Sequence, residues 1–442
     1  MSENSINRRD FVKTASVAAA SILMSNALPI SARTSKKRRY AIIGTGHRAT
    51  SMWGVDLANR YKEEIEFVGL CDKNAKRAEA GKQLIGVDCP TFTNFDEMLA
   101  KTKPDLLTVT TMDSTHHQFI VKALEKGIDV ITEKPMVTEA KDCQAVLDAE
   151  KKYNRKITVA FNYRYAPKHQ KIKEILQSGE IGDVTSVDFA WYLDTSHGAD
   201  YFRRWHRLKS GGGSLWVHKA THHFDLINWW LAADPTEVSA YGKLNVYGKN
   251  GAFRHTNCRP CPHKAKCPFY WDMTKNARLM KLYAEAEDVD GYYRDGCVFR
   301  EDVDIYDTMS AAVKYSNGVS MSYSLNASMP IEGYRVAFNG TKGRLEVRDY
   351  ERQPWTEEVQ AEIYLMKNMS GNRERIEMPN IKGGHSGGDD RLREVIFKKI
   401  EVPDILKLPD SRAGAMSCLT GIAARTSIEQ NRPVKINELI KL

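Results

Sequence analysis

Five short apolar runs recur through the first third of the chain, separated by polar and helix-forming stretches. They are Tyr40-Ala41-Ile42-Ile43, residues 65–70, residues 105–110, Asp129-Val130-Ile131-Thr132 and residues 157–161. Runs of this length and continuity read as strands buried on both faces. A helical stretch from about Thr115 to Lys126, closed by Gly127, lies between the third and fourth. Strands alternating with helices predict an α/β fold with a doubly wound parallel sheet, whose ligands sit at the carboxyl ends of the strands. Further along, the period lengthens. Ala220, Phe224, Ile227 and Leu231 fall at i, i+4, i+7 and i+11, one apolar face of a helix over roughly 214–231. His218, His222, Asp225 and Trp229 take the opposite face, with Lys219 on a flank. Strict alternation over 311–315 and 319–323, around Asn317-Gly318, then predicts a hairpin in a second sheet.

At 442 residues, 42% of them hydrophobic, the chain has material for two domains. No apolar run long enough to span a membrane follows the first thirty residues, so stable membrane insertion is not expected. The net charge of +9 is concentrated at the start: residues 1–39 hold eight Lys or Arg and two Asp or Glu, which leaves 57 basic against 54 acidic residues. A nearly neutral body argues against nucleic acid as a partner. The basic start followed by a small-residue apolar stretch predicts a signal peptide over 1–32 and a basic linker over 33–39. Arg8-Arg9-Asp10-Phe11-Val12-Lys13 resembles a twin-arginine export signal, which implies passage through the twin-arginine machinery, already folded, to the periplasm or beyond.

Gly44-Thr45-Gly46-His47-Arg48-Ala49 follows the first strand at once. Two glycines and a small third residue let a strand turn tightly into a helix while a pyrophosphate approaches the backbone, and the helix start supplies free N–H groups. The second strand ends on Asp72, where an acid can hold ribose hydroxyls and would repel a 2′-phosphate; Lys73 and Arg77 nearby keep NADP open beside NAD. The ends of the next strands carry Thr111 to His116 and Glu133-Lys134-Pro135.

With Phe161-Asn162-Tyr163-Arg164-Tyr165, Gly211-Gly212-Gly213, His222-His223-Phe224-Asp225 and Gly340-Thr341-Lys342-Gly343, these motifs resemble the glucose–fructose oxidoreductase and inositol dehydrogenase (Gfo/Idh/MocA) family over nearly everything after residue 39. The resemblance implies a Rossmann NAD(P)-binding domain over 40–158. It also implies an α/β substrate and oligomerisation domain over 159–442 with a large, mainly antiparallel sheet. Lys134 and His222 would be the catalytic acid/base pair. Arg164, Tyr165, His218, Lys219 and Asp225 would bind substrate, and Gly44, Thr45, Gly46, His47, Arg48, Asp72, Thr111, His116, Glu133 and Lys134 would hold the cofactor. Where family dehydrogenases carry Asp four residues before the histidine, this chain has His218, which changes the charge around the reacting carbinol. The histidine stripe also admits a metal or a solvated face. Gly383 to Asp390 precedes a helix; its His385 and Asp389 could close over the cleft, or the glycine-rich loop could face solvent.

Within an insertion of about 248–301, Cys258, Cys261, Cys267 and Cys297 have knuckle-like spacing, which points to structural zinc; disulfides and an iron–sulfur cluster are the alternatives. The expectation is an exported oxidoreductase with tightly bound NAD, moving hydride to or from a carbohydrate or polyol carbinol, as a homo-oligomer. A redox-neutral, NAD-dependent glycosidase resembling family 109 is the alternative, because free NAD is not expected outside the cytoplasm. A non-catalytic sugar-binding protein is the third reading.

Overall fold

The computed structural model describes residues 36–355, 361–379 and 384–441. The leader and the start of the linker lie outside the described residues, as does Gly383, and everything below belongs to the compact unit Arg38–Leu442. Six strands, β1 (Arg38–Ile43), β2 (Ile65–Cys71), β3 (Thr91–Phe92), β4 (Leu106–Val109), β5 (Asp129–Thr132) and β6 (Ile157–Val159), form one sheet in the order β3-β2-β1-β4-β5-β6. Every pairing in it is parallel. Strand β4 is buried at all four residues, as an apolar run in a sheet covered on both faces should be. The chain reverses direction across the sheet between β1 and β4, which opens a crevice at their carboxyl ends. Helix Ala75–Ile85 begins on Asn74, whose side chain accepts from the Arg77 amide, and ends at Gly86, whose φ of 79° is left-handed.

The second sheet has nine strands: β7 (Val184–Asp194), β8 (Pro235–Lys243), β9 (Thr308–Tyr315), β10 (Ser320–Met329), β11 (Glu332–Gly340), β12 (Gly343–Arg352), β13 (Glu362–Lys367), β14 (Arg373–Ile376) and β15 (Val434–Lys435). Their order is β14-β13-β12-β11-β7-β10-β9-β8-β15, and only β7–β10 pair in parallel. The predicted hairpin is β9–β10, with Gly318 at φ 86° in its turn. Exposed and buried residues alternate strictly along β9, so one face of the sheet is apolar.

Against that face lies the helix Ala220–Leu231. His223 Nδ1 meets the Tyr323 hydroxyl at 2.6 Å, and the His223 ring stacks on Trp191 at 3.8 Å. On its other side runs Ser411–Gln430, close enough that a Cβ on Gly421 would lie 2.2 Å from the Trp216 carbonyl oxygen. The helix is therefore buried on both faces, contrary to the amphipathic reading: on its polar face His223 meets Tyr323 and Asp225 meets Arg164, while His222 lines a cavity. It is also broken: Leu215–His218 forms a separate turn, started by the Ser214 side chain, and Lys219 sits at the join.

Candidate active site

A cavity of about 1070 Å³ opens at the carboxyl ends of β1, β4 and β5 and runs to the face of the second sheet. Its floor is the glycine turn. Gly44 has φ 86°, and a Cβ there would lie 2.7 Å from the Thr110 carbonyl carbon, so the close approach of β1 to β4 requires glycine. Thr110 fastens the same turn by donating its hydroxyl to the Gly44 carbonyl at 2.6 Å. The Thr45 amide and hydroxyl donate to Asp72 at 2.9 and 3.2 Å, and the Asn74 amide donates to the other carboxylate oxygen at 3.0 Å. Asp72 thus shapes the turn as well as facing the cavity.

The cysteine-bearing insertion comes back onto this end. The His47 amide donates to the Tyr283 hydroxyl at 2.8 Å, and that oxygen is 3.0 Å from where a Gly46 Cβ would stand. Arg77 bridges Asp72 at 3.4 Å and Asp290 at 2.8 Å, while the Asn74 amide group donates to the Ala286 carbonyl at 2.7 Å. The residues fit a dinucleotide: a turn with no side chain of its own at Gly44 and Gly46, and an acid at the end of β2. Tyr283 occupies the His47 amide that a pyrophosphate would use. Sequence patterning had no access to it, because it is 236 residues away from that amide.

At the other end Lys134, preceding a cis Pro135, donates to the His218 carbonyl at 3.0 Å. Burial pulls its amine down to about 8; Asp113 and Glu133 hold it up, and Lys219 and Arg48 push it further down. Glu133 accepts from Arg48 at 2.6 Å and from the Trp53 indole at 2.8 Å. His116 links the two strand-end loops, reaching the Pro135 carbonyl at 2.8 Å and the Thr111 carbonyl at 3.1 Å. It therefore braces the site rather than presenting a free imidazole.

His222 lines the cavity and stacks on Tyr163 with centroids 4.4 Å apart. Burial pushes its pKa well down, and the nearby Lys134 and Lys219 cations act in the same direction, so the ring is a neutral imidazole. Its Nδ1 is buried with no partner. His218 Nδ1 lies 2.5 Å from the Asp113 carboxylate. Burial drives the carboxyl well up and the imidazole well down. His206 packs at 4.0 Å on His218, and Asp113, His206 and His218 bring donor atoms within 4.8 Å of one another. That set could hold a metal ion, but Lys134 and Arg204 face the same carboxylate and oppose a dication.

Several expected site residues lie elsewhere. Arg164 and Asp225 grip each other through contacts of 2.8 and 2.5 Å, and the Tyr165 hydroxyl donates to the Leu406 carbonyl at 3.2 Å. None of the three lines the cavity. A buried guanidinium and carboxylate satisfy one another, which a helix-face reading cannot distinguish from convergence on a ligand. His385 does line the cavity, with Asp389 at 3.1 Å and the Asn162 amide group at 2.9 Å.

The four cysteines of the insertion border one cavity of about 20 Å³, and all eight cysteines are free thiols. Among the described residues their sulfurs do not make a group within 4.8 Å, so the expected tetrahedral shell is not formed. Asp295 fastens the loop instead: fully buried, it accepts from the Asn257 side chain at 3.2 Å and from the Arg259 amide at 2.9 Å and Nε at 3.0 Å. Cys258 accepts from Arg203 at 3.2 Å.

Two family models match the chain. The oxidoreductase family's NAD-binding Rossmann fold covers residues 38–161, and its C-terminal alpha/beta domain covers residues 173–436. A Bacillus subtilis oxidoreductase, YteT, is 42% identical over 422 residues, 90% of this chain and 98% of its own. The D-glucoside 3-dehydrogenase of Escherichia coli is 28% identical over 154 residues, 35% of this chain and 43% of its own. The Bordetella pertussis WlbA dehydrogenase, solved with NADH and UDP-GlcNAcA, superposes with a TM-score of 0.63 at 17% identity, over 92% of this chain and 100% of that one, a likeness of fold. Glycine turn, parallel sheet, mixed second sheet and these matches agree: the chain belongs to the Gfo/Idh/MocA family of NAD(P)-binding oxidoreductases.

Proposed function

We propose that the protein moves hydride between a carbohydrate or polyol carbinol and NAD, with Lys134 and His222 handling the hydroxyl proton. The observation that carries this reading is one continuous cavity, lined by Gly44 and Gly46 at one end and by Lys134 and His222 at the other. When bound, the nicotinamide accepts or returns the hydride. Lys134, depressed to about 8, can take the carbinol proton as a free amine or return it as ammonium near neutral pH. His222, held neutral by burial, places a second imidazole on the same wall. Asp72 and Asp290, both bound to Arg77, would repel a 2′-phosphate, which favours NAD over NADP. The D-glucoside 3-dehydrogenase and the UDP-GlcNAcA-bound WlbA dehydrogenase fit a sugar substrate.

The redox-neutral glycosidase is a second reading, favoured by the insertion closing over the phosphate end through Tyr283 and Asp290. A retained cofactor suits a cycle that returns its hydride: a ketone acidifies the neighbouring C–H, elimination expels the aglycone, water adds and the ketone is reduced. The leader motif extends the proposal to an exported protein, tested by cell fractionation with and without Arg8→Lys and Arg9→Lys. The deciding experiment denatures purified protein and assays the nucleotide released, then supplies aryl glycosides or free sugars without added NAD. Sustained aglycone release selects the glycosidase. Stoichiometric NADH that stops selects the dehydrogenase. No nucleotide released and none bound on titration would refute both.

A further inference from the structure

Among the described residues that line the cavity, nearly every cation is already answered. Arg48 meets Glu133 at 2.6 Å, Arg77 meets Asp290 at 2.8 Å, Lys168 meets Asp349 at 2.5 Å and Arg204 meets Asp200 at 3.0 Å. Lys134 donates to a carbonyl, and Lys73 is exposed at the far, ribose-facing end. Lys219 stands apart. It is 4% exposed, has no carboxylate within 4.0 Å, and makes one long hydrogen bond of 3.5 Å to the Tyr163 hydroxyl. Its ammonium lies over the Trp191 ring at 5.0 Å and over Tyr163 at 5.8 Å.

Stacking alone does not account for this position. A cation over an aromatic face gains about 0.5–2 kcal/mol, whereas stripping an ammonium of water costs several kcal/mol. The acids around it are engaged or distant. Glu332 accepts from the Asp194 amide at 2.7 Å and pairs with His197 at 2.9 Å. Glu351 lines the same cavity but stays beyond ion-pair distance and faces solvent. The break in the helix between His218 and Ala220 puts Lys219 beside His222, one residue from the pair His218–Asp113.

We infer that Lys219 receives an anionic group of the substrate, and that the preferred substrates are sugars bearing a carboxylate, uronic acids or uronides, rather than neutral ones. The inference rests on the hydride-transfer reading only in taking the ligand to be a sugar. A carboxylate fits because it can accept from the two ammonium N–H groups that lack partners, in a place where water is scarce. Tyr163, stacked between His222 and Trp191, offers its hydroxyl to the same group.

The test uses the full, nucleotide-loaded protein and matched pairs that differ only at C6: p-nitrophenyl glucoside with glucuronide, and galactoside with galacturonide, in both anomers. Binding is read by tryptophan fluorescence in the presence of NADH. The carboxylated member of at least one pair should bind roughly 10- to 100-fold more tightly, the value of a hydrogen bond to a charged group. Lys219→Met should abolish that preference by weakening the carboxylated member at least tenfold more than its neutral partner, and Lys219→Arg should retain it. If no uronide binds more tightly than its neutral partner, or if Lys219→Met weakens both alike, the inference is overturned. A variant that binds normally but loses turnover on both makes Lys219 a proton donor and also overturns it. The proposed reaction fails separately: a uronide that binds through Lys219 without exchanging hydride with the nicotinamide refutes the chemistry and leaves the anion site standing.

Discussion

Replacing Arg164 by Met separates the two roles that sequence and structure give to the Arg164–Asp225 pair. In the structure it is internal: side-chain exposures are 12% and 1%, and both guanidinium contacts reach the carboxylate at 2.5–2.8 Å. Removing the cation leaves a buried, unpaired Asp225, a change that costs about 3–5 kcal/mol. Unfolding entropy of roughly 2.1 cal/mol/K per residue over about 400 residues is near 0.8 kcal/mol/K, so the melting temperature should fall by about 4–6 °C if this unit unfolds as one. Arg164→Met with Asp225→Leu removes both charges and should recover most of the loss. Burial pushes the Asp225 carboxyl up, and Arg164 holds it back. Without Arg164 its folded pKa rises further above the unfolded value near 3.9. The variant's deficit should therefore shrink as pH falls toward 4 and grow as pH rises. Differential scanning calorimetry across pH, beside KM for the accepted sugar, checks both halves. A variant of unchanged stability with KM raised tenfold or more would refute the structural role and restore the pair to the substrate site.

Four further outcomes are expected. Oxidation of the carbinol should rise with pH through about 8 as Lys134 loses its proton, and the reverse reaction should fall over the same interval; a profile flat from 6 to 10 in both directions removes Lys134 from proton transfer. Lys134→Met should lower turnover by about 10²–10⁴ with nucleotide content unchanged, as measured by release on denaturation. Tyr283→Phe should slow NADH dissociation up to about tenfold, read by stopped-flow fluorescence, because it frees the His47 amide for the pyrophosphate. Asp295→Ala should make residues 248–301 sensitive to limited proteolysis at temperatures where the two sheets stay folded, since four donors lose their buried acceptor.

The parallel sheet was legible because its signal is local: each buried strand is an apolar run, and the glycine turn writes its φ requirement into the residue type at Gly44. Lys134 and His222 were legible through motif, and both reach the cavity. What sequence could not supply was pairing at long range. Asp225 read as a site acid because it is one turn from His222, yet its partner is 61 residues away and turns it inward. Asp113 lies inside the Thr111 to His116 stretch and His206 outside every motif, yet neither was selected, because the contact that marks Asp113 is with His218, 105 residues away. The cysteine spacing is compatible with a metal knuckle, but spacing does not reveal Asp295, the acceptor around which the loop folds.

The substitution at position 218 acquires a physical meaning from that pairing. An aspartate there would put a full negative charge one turn from His222, within reach of the Lys134 amine. With histidine, the acidic group instead comes from Asp113, which follows β4, and carboxylate and imidazole both line the cavity. The carboxylate still raises the Lys134 pKa, against the burial that lowers it. Lys219, with no carboxylate within 4.0 Å, stands beside His222. A cation so placed, with imidazole where the family pattern has a carboxylate, is in keeping with the anionic substrate proposed for Lys219.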